Sequence, residues 1–143
     1  IYYWGDQHFS LTMGPDRAMR MDACATAKRV GVPYTIHSDA PVTPLNPLFT
    51  AWCAVNRQTA SGRVLGHNER IDVEDALRAV TLGAAFTLHL DHLIGSIEPG
   101  KYADFSVLDD DPTTASPEAL KDISVWGTVV DGIVRPASSG AGD

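Results

Sequence analysis

Asp39 is the residue with the clearest chemical potential in this chain, and it stands in the run His37-Ser38-Asp39-Ala40-Pro41. The run follows Val32-Pro33-Tyr34-Thr35-Ile36, whose apolar and β-branched residues predict a short buried strand over Tyr34 to Ile36. It precedes Asn46-Pro47, a helix-start signal. α/β enzymes place reactive groups in such loops, just past the end of a buried strand. A carboxylate there can bind a metal ion, take a proton from a metal-activated water, or do both in turn. Ser38 and Asp39 can equally serve as turn builders through side-chain to backbone hydrogen bonds.

The surrounding elements must place that loop. Ile1 to Trp4 predicts a strand ended by Gly5-Asp6. Gly14-Pro15-Asp16 predicts the start of a helix, with Ala18, Met21, Ala25 and Val30 near helical spacing and Gly31 as its stop. Strand, helix, strand is a βαβ unit, which implies parallel pairing and a right-handed crossover. Asn46 predicts the cap of a helix from Pro47 to about Thr59, with Leu48, Ala51, Trp52 and Val55 on one face. A polar loop from Ser61 to Arg70 follows, then Asp72 as the cap of Val73 to Val80 with Asp75 at the capping-box position. A further apolar helical stretch spans Ala84 to Leu90.

Beyond His92 the pattern changes to period two. Asp104 to Leu108 and Ile123 to Val130 predict strands, and Asp131-Gly132 before Ile133 is a two-residue hairpin signal. Ala137 to Asp143 reads as a small-residue, flexible tail. These patterns divide the chain into an α/β portion over 1–94 and a small β portion over 95–136. Two parallel strands leave open sheet edges, and three antiparallel strands make a sheet that needs a second layer. The chain is therefore expected to be a fragment completed by upstream sequence.

Composition narrows the function classes. The 143 residues carry a net charge of −7 with no Lys/Arg cluster, which argues against nucleic acid and anionic membranes as partners. No apolar stretch approaches the ~20 residues of a membrane span. Cys24 and Cys53 make no disulfide framework, so free thiols in a reducing, cytoplasmic setting are expected.

Four stretches carry a family likeness: Gly14-Pro15-Asp16-Arg17, His37 to Val42, Ala76 to Thr81 with Ala84-Ala85, and Gly95 to Asp104. Through them the chain resembles the C-terminal part of the metal-dependent amidohydrolase superfamily, in the branch of N-substituted formamide deformylase-like enzymes. The resemblance implies an α/β fold, the C-terminal fragment of a (β/α)8 TIM-like barrel followed by part of a small β-sandwich. Ile1 to Trp4 and Tyr34 to Ile36 would be its last two barrel strands. It further implies a hydrolase of non-peptide carbon–nitrogen bonds in amide-type small molecules. Its divalent metal, zinc by expectation, would be held in part by Asp39, which would also shuttle the proton. The family's other ligands, an upstream His-x-His, a bridging carboxylate and two later histidines, have no counterpart among these residues. A deaminase or cyclic-amide hydrolase of the same superfamily is the alternative enzyme. A non-catalytic fragment or assembly module, self-associating into a homo-oligomer, is the alternative from another class.

On that framework Asp6 and His8 would follow a barrel strand on the active face, as pocket-lining or loop-building groups. His37 is either a partner that orients Asp39 or a hydrogen-bonded strand-end histidine. His89 and His92 share an i, i+3 spacing, yet no HExxH pattern follows, and they lie at the junction of the two portions. His67 reads as surface loop, Arg57 as the partner of a structural carboxylate, Trp52 and Trp126 as packing, and Asp109 to Asp111 as a solvated loop.

Overall fold

The structure is a computed structural model, and it describes residues 1–137. Of the expected tail, residues 138–143 lie outside the described residues.

One helix organises the core. Pro47–Asn56 starts where the sequence predicts, because Asn46 accepts a hydrogen bond from the Phe49 amide (3.0 Å) and Pro47 occupies the first turn. We label it α4; before it come α1 (Gly5–Gln7), α2 (Pro15–Ala18) and α3 (Cys24–Val30), and after it α5 (Val73–Val80) and α6 (Leu82–Thr87). Leu48, Ala51, Trp52, Ala54 and Val55 of α4 are buried against Cys24, Ile71, Ala76 and Leu120. Leu120 lies in a short 3-10 turn, Ala119–Asp122, so the segment between the strands closes over α4. Two polar bonds fix that closure: Trp52 Nε1 donates to Glu118 O (3.0 Å) and Asn56 Nδ2 to Pro117 O (2.8 Å).

Asp72 caps α5 as its position predicts, accepting from the Asp75 amide at 2.8 Å. The capping box is not reciprocal, because the Asp75 carboxylate receives Lys28 of α3, which also reaches Asp72 (3.2 Å).

Three strands form an antiparallel sheet in the order β1 (Phe105–Leu108), β2 (Val125–Val130), β3 (Ile133–Pro136). The register shifts between Val107 and Leu108, whose partners are Gly127 and Val125, so Trp126 is the extra residue of a bulge. Asp131 and Gly132 turn the hairpin with φ of 51° and 74°, the positive values a two-residue turn of the primed class demands. Trp126 is 47% exposed, so its packing role does not extend to the core that encloses Trp52.

Two expected strands do not form. Ile1 to Trp4 is a turn: Gly5 N–H bonds Ile1 O (2.9 Å), His8 N–H bonds Trp4 O (2.8 Å), and Tyr2 O takes a single long-range bond from Ala60 N–H (3.1 Å). The chain continues through α1 into a π-type turn over His8–Thr12, where Met13 N–H reaches back to His8 O (3.0 Å). Tyr34 to Ile36 is without a ladder and is tied by Thr35 Oγ1 to Ala79 O (2.9 Å). A strand exists only through a ladder with a neighbour, and among the described residues neither segment forms one, the lone Ala60–Tyr2 bond included, so the expected parallel βαβ pairing is absent. The helix expected over residues 15–30 is also split. Met21 O and Asp22 O are taken by the Arg57 guanidinium (2.6 and 2.8 Å), and Asp22 turns left-handed at φ 49°. A continuous helix would have needed those carbonyls for itself.

Candidate active site

The loop after Ile36 is built around its own backbone. Asp39 adopts φ 56°, in the left-handed region that, after glycine, Asn and Asp enter most readily. Its amide donates to His37 Nδ1 (3.0 Å), and its carbonyl accepts from the Val42 amide (2.8 Å). Thr43 Oγ1 closes the loop on Ser38 O. Asn46 then begins α4, so the capped N-terminus of the core helix anchors the far end of this loop.

Residues 37–39 line two neighbouring cavities. One of about 400 Å³ is shared with Ile36, Leu45, Thr50 and Val80. Another of about 190 Å³ is walled by Tyr2, Tyr3, Trp4 and Phe49. That wall is an aromatic cluster in which Tyr2 stands edge-on to Phe49 (5.1 Å between ring centres) and Trp52 (5.9 Å). Tyr3 and Trp4 remain 46% and 48% exposed beside the loop. The Asp39 carboxylate is exposed and takes part in no hydrogen bond or ion pair among the described residues.

His37 is the neighbour that matters to it. It is exposed, and its bond runs to the Asp39 backbone amide rather than to the carboxylate. With Nδ1 accepting, a neutral ring carries its proton on Nε2.

Asp6 is committed elsewhere. Its carboxylate accepts from Ser61 Oγ (2.7 Å), the Ser61 amide (3.0 Å) and Thr59 Oγ1 (3.0 Å), and Arg63 Nε lies 3.5 Å away. The Ser61 hydroxyl foremost, with the other donors, holds this carboxyl below the usual range. Asp6 clips the loop Gln58 to Val64 onto α1. His8 bonds Thr12 Oγ1 (2.7 Å) inside the π-type turn. Neither lines the two cavities beside Asp39. His89 and His92 are exposed, and among the described residues no group of three or more His, Cys, Asp or Glu side chains could hold a metal ion.

Arg57 is the residue whose role sequence reasoning missed. It is fully buried at the C-terminal end of α4, in a left-handed conformation at φ 53°. Instead of a carboxylate it binds three carbonyls, Leu65 O through Nε, Asp22 O and Met21 O through its terminal nitrogens. Only the position after the helix, where a chain reversal needs its carbonyls gathered, hinted at this. A third cavity, about 370 Å³, is lined by Arg57, His37, Cys24 and Cys53. Burial pushes the Cys53 thiol up to about 11 and raises Cys24 as well, so neither is poised as a nucleophile.

The amidohydrolase family model matches residues 1–135. The chain belongs to the amidohydrolase family. An N-substituted formamide deformylase of Arthrobacter pascens is 34% identical to it over 137 residues, covering 96% of this chain and 24% of the relative. A metal-dependent hydrolase from Pyrococcus horikoshii superposes with a TM-score of 0.65 at 26% identity, over 78% of this chain and 23% of that one. An amidohydrolase from Thermotoga maritima gives 0.58 at 28% identity, over 78% and 24%. The chain thus spans about a quarter of the length of the curated relatives it matches most fully.

Proposed function

We propose that the parent of this chain is a metal-dependent hydrolase of non-peptide carbon–nitrogen bonds in amide-type small molecules, and that Asp39 serves it twice. One observation carries this: an exposed carboxylate without partners, held left-handed in a loop that lines two cavities, in a chain of the amidohydrolase family. A hard oxygen donor of this kind suits a divalent ion, zinc among them. Catalytic zinc takes three protein ligands, so Asp39 fits as one member of a set whose other members lie outside the described residues.

When bound, the ion supplies Lewis acidity and an activated water. Asp39 accepts the proton of the attacking water and returns it to the departing amine nitrogen, so one group is base and then acid. His37 fixes the backbone from which that carboxylate reaches. Tyr3, Trp4 and Phe49 offer an apolar wall beside it, and Asp6 ties the helix that follows Trp4 to the loop Gln58 to Val64. The architecture we propose for the parent is a (β/α)8 barrel over 1–94 and its preceding sequence, with 95–136 in a composite β-sandwich.

The test is steady-state kinetics of the intact parent on N-substituted formamides. Asp39→Asn preserves size and removes both charge and proton acceptor, and is expected to lower kcat about 10²–10⁴-fold. A kcat within a few-fold of wild type would overturn the proposal.

A further inference from the structure

We propose that Asp131 is a site of isoaspartate formation in this protein, and that the Asp104 carboxylate holds the reaction in check. Asp131-Gly132 is the one Asp-Gly pair in the sequence, which contains no Asn-Gly pair. The proposal is independent of Asp39 and of any metal.

An Asp followed by Gly isomerises through its own backbone. The Gly132 amide nitrogen attacks the side-chain carboxyl carbon of Asp131. A C–N bond forms, and one carboxyl oxygen leaves as water, taking the amide proton and the acid proton. Water then opens the five-membered succinimide at the carbonyl next to Cα, and the main chain afterwards runs through Cβ and Cγ. One water leaves and one enters, so the mass is unchanged. Glycine favours the first step because it puts no side chain beside the attacking nitrogen.

The turn offers what the reaction needs. Asp131 and Gly132 are exposed at the tip of the β2–β3 hairpin. The Asp131 carboxylate takes part in no hydrogen bond or ion pair among the described residues, so no donor holds it away from the backbone. A Cβ built on Gly132 would meet nothing within 4 Å, so no neighbour crowds the turn on that side. Nor can the turn readily exchange its glycine, because φ of 74° disfavours any side chain there.

Two bonds oppose it. Gly132 N–H donates to Ala103 O at 3.3 Å, which is long for such a bond. Beside it, Asp131 N–H donates to Asp104 Oδ1 at 2.7 Å, a short and charge-assisted bond across 27 residues. Together they pin both amides of the turn to the segment entering β1. The attack therefore waits on opening of the turn, and its rate follows the open population. Asp104 carries the stronger tie and is the guard. Once formed, isoaspartate adds a main-chain carbon, for which a two-residue turn joining Val130 to its partner Ile133 has no room.

The experiment incubates the intact parent at neutral pH as wild type, Asp104→Asn and Asp104→Ala, with circular dichroism reporting the fold. Isoaspartate is counted by methyl transfer from S-adenosylmethionine with an isoaspartyl methyltransferase, and located by electron-transfer mass spectrometry. Wild type should form it at Asp131 ahead of every other Asp, and faster in urea. Asp104→Ala should speed it about 5-fold, the factor for losing one hydrogen bond of ordinary net strength. Asp104→Asn keeps an oxygen for the same amide and should stay within about 2-fold of wild type. Amide hydrogen exchange of wild type, which needs no variant, should show the Asp131 N–H protected.

Isoaspartate arising first at another Asp, or none at Asp131 even in urea, would overturn the site. Equal rates in wild type and Asp104→Ala, or an unprotected Asp131 amide, would overturn the guard. So would a uniform rise at every Asp in Asp104→Ala, which would report general unfolding, or an Asp104→Asn rate as high as that of Asp104→Ala.

Discussion

Replacing Arg57 by methionine should destabilise the protein by about 3 kcal/mol, although the change trades a buried charge for an apolar chain of similar length. The figure follows from the fate of each partner. Leu65 is fully buried, so its carbonyl would lose a charge-assisted bond with no water to replace it, at ~1.5–3 kcal/mol. Met21 is half-buried and Asp22 exposed, so their carbonyls regain solvent and forfeit ~1 kcal/mol each. Against this, removing the guanidinium relieves its desolvation, which is why burial lowers the Arg57 pKa from its ordinary value. The loops around Met21 and Leu65 also lose their common anchor. Equilibrium urea unfolding of wild type and Arg57→Met, followed by tryptophan fluorescence, measures the difference. Arg57→Lys should do little better, because one ammonium cannot span three carbonyls in diverging directions. A loss below about 1 kcal/mol for Arg57→Met would refute the clamp and mark the buried charge as a burden merely tolerated.

Acid should weaken the fold through two carboxylates. Asp6, bonded chiefly by the Ser61 hydroxyl, and Glu69, bonded chiefly by the Thr26 hydroxyl, both ionise below their ordinary values. A depressed folded pKa stabilises fully above the unfolded value and is lost as pH falls through the folded one, so the thermal midpoint should drop as pH is lowered below about 4. Asp6→Asn should flatten that drop, and an unchanged pH profile would contradict the assignment. Cys53, with its thiol at about 11, should resist iodoacetamide at pH 8, where about a thousandth of it is thiolate, and react fast once unfolded; equal rates in both states, read by mass spectrometry, would refute its burial.

Local signals were legible wherever local chemistry decides the structure. Asn46 and Asp72 cap the helices their positions predict, and Asp131-Gly132 turns the predicted hairpin. The helix from Pro47 ends at Asn56 rather than Thr59 because Arg57 must turn left-handed to bury its guanidinium. What was not legible depended on distant partners. Ile1 to Trp4 and Tyr34 to Ile36 have strand-like composition, but pairing is a property of two segments, and the sequence of one cannot supply the other. The split of residues 15–30 has the same origin, since a side chain more than thirty residues away claims the carbonyls. Asp39 was found from its place after an apolar run; its left-handed backbone and its bond to His37 were visible only in the structure.

The most direct test of the account is the metal content of the intact parent, purified without chelators and measured by elemental analysis in wild type and Asp39→Asn. The account predicts a divalent metal near stoichiometry in the wild type and its marked loss in Asp39→Asn, with the fold retained by circular dichroism. Equal metal in both proteins would contradict the central claim that Asp39 is a metal ligand.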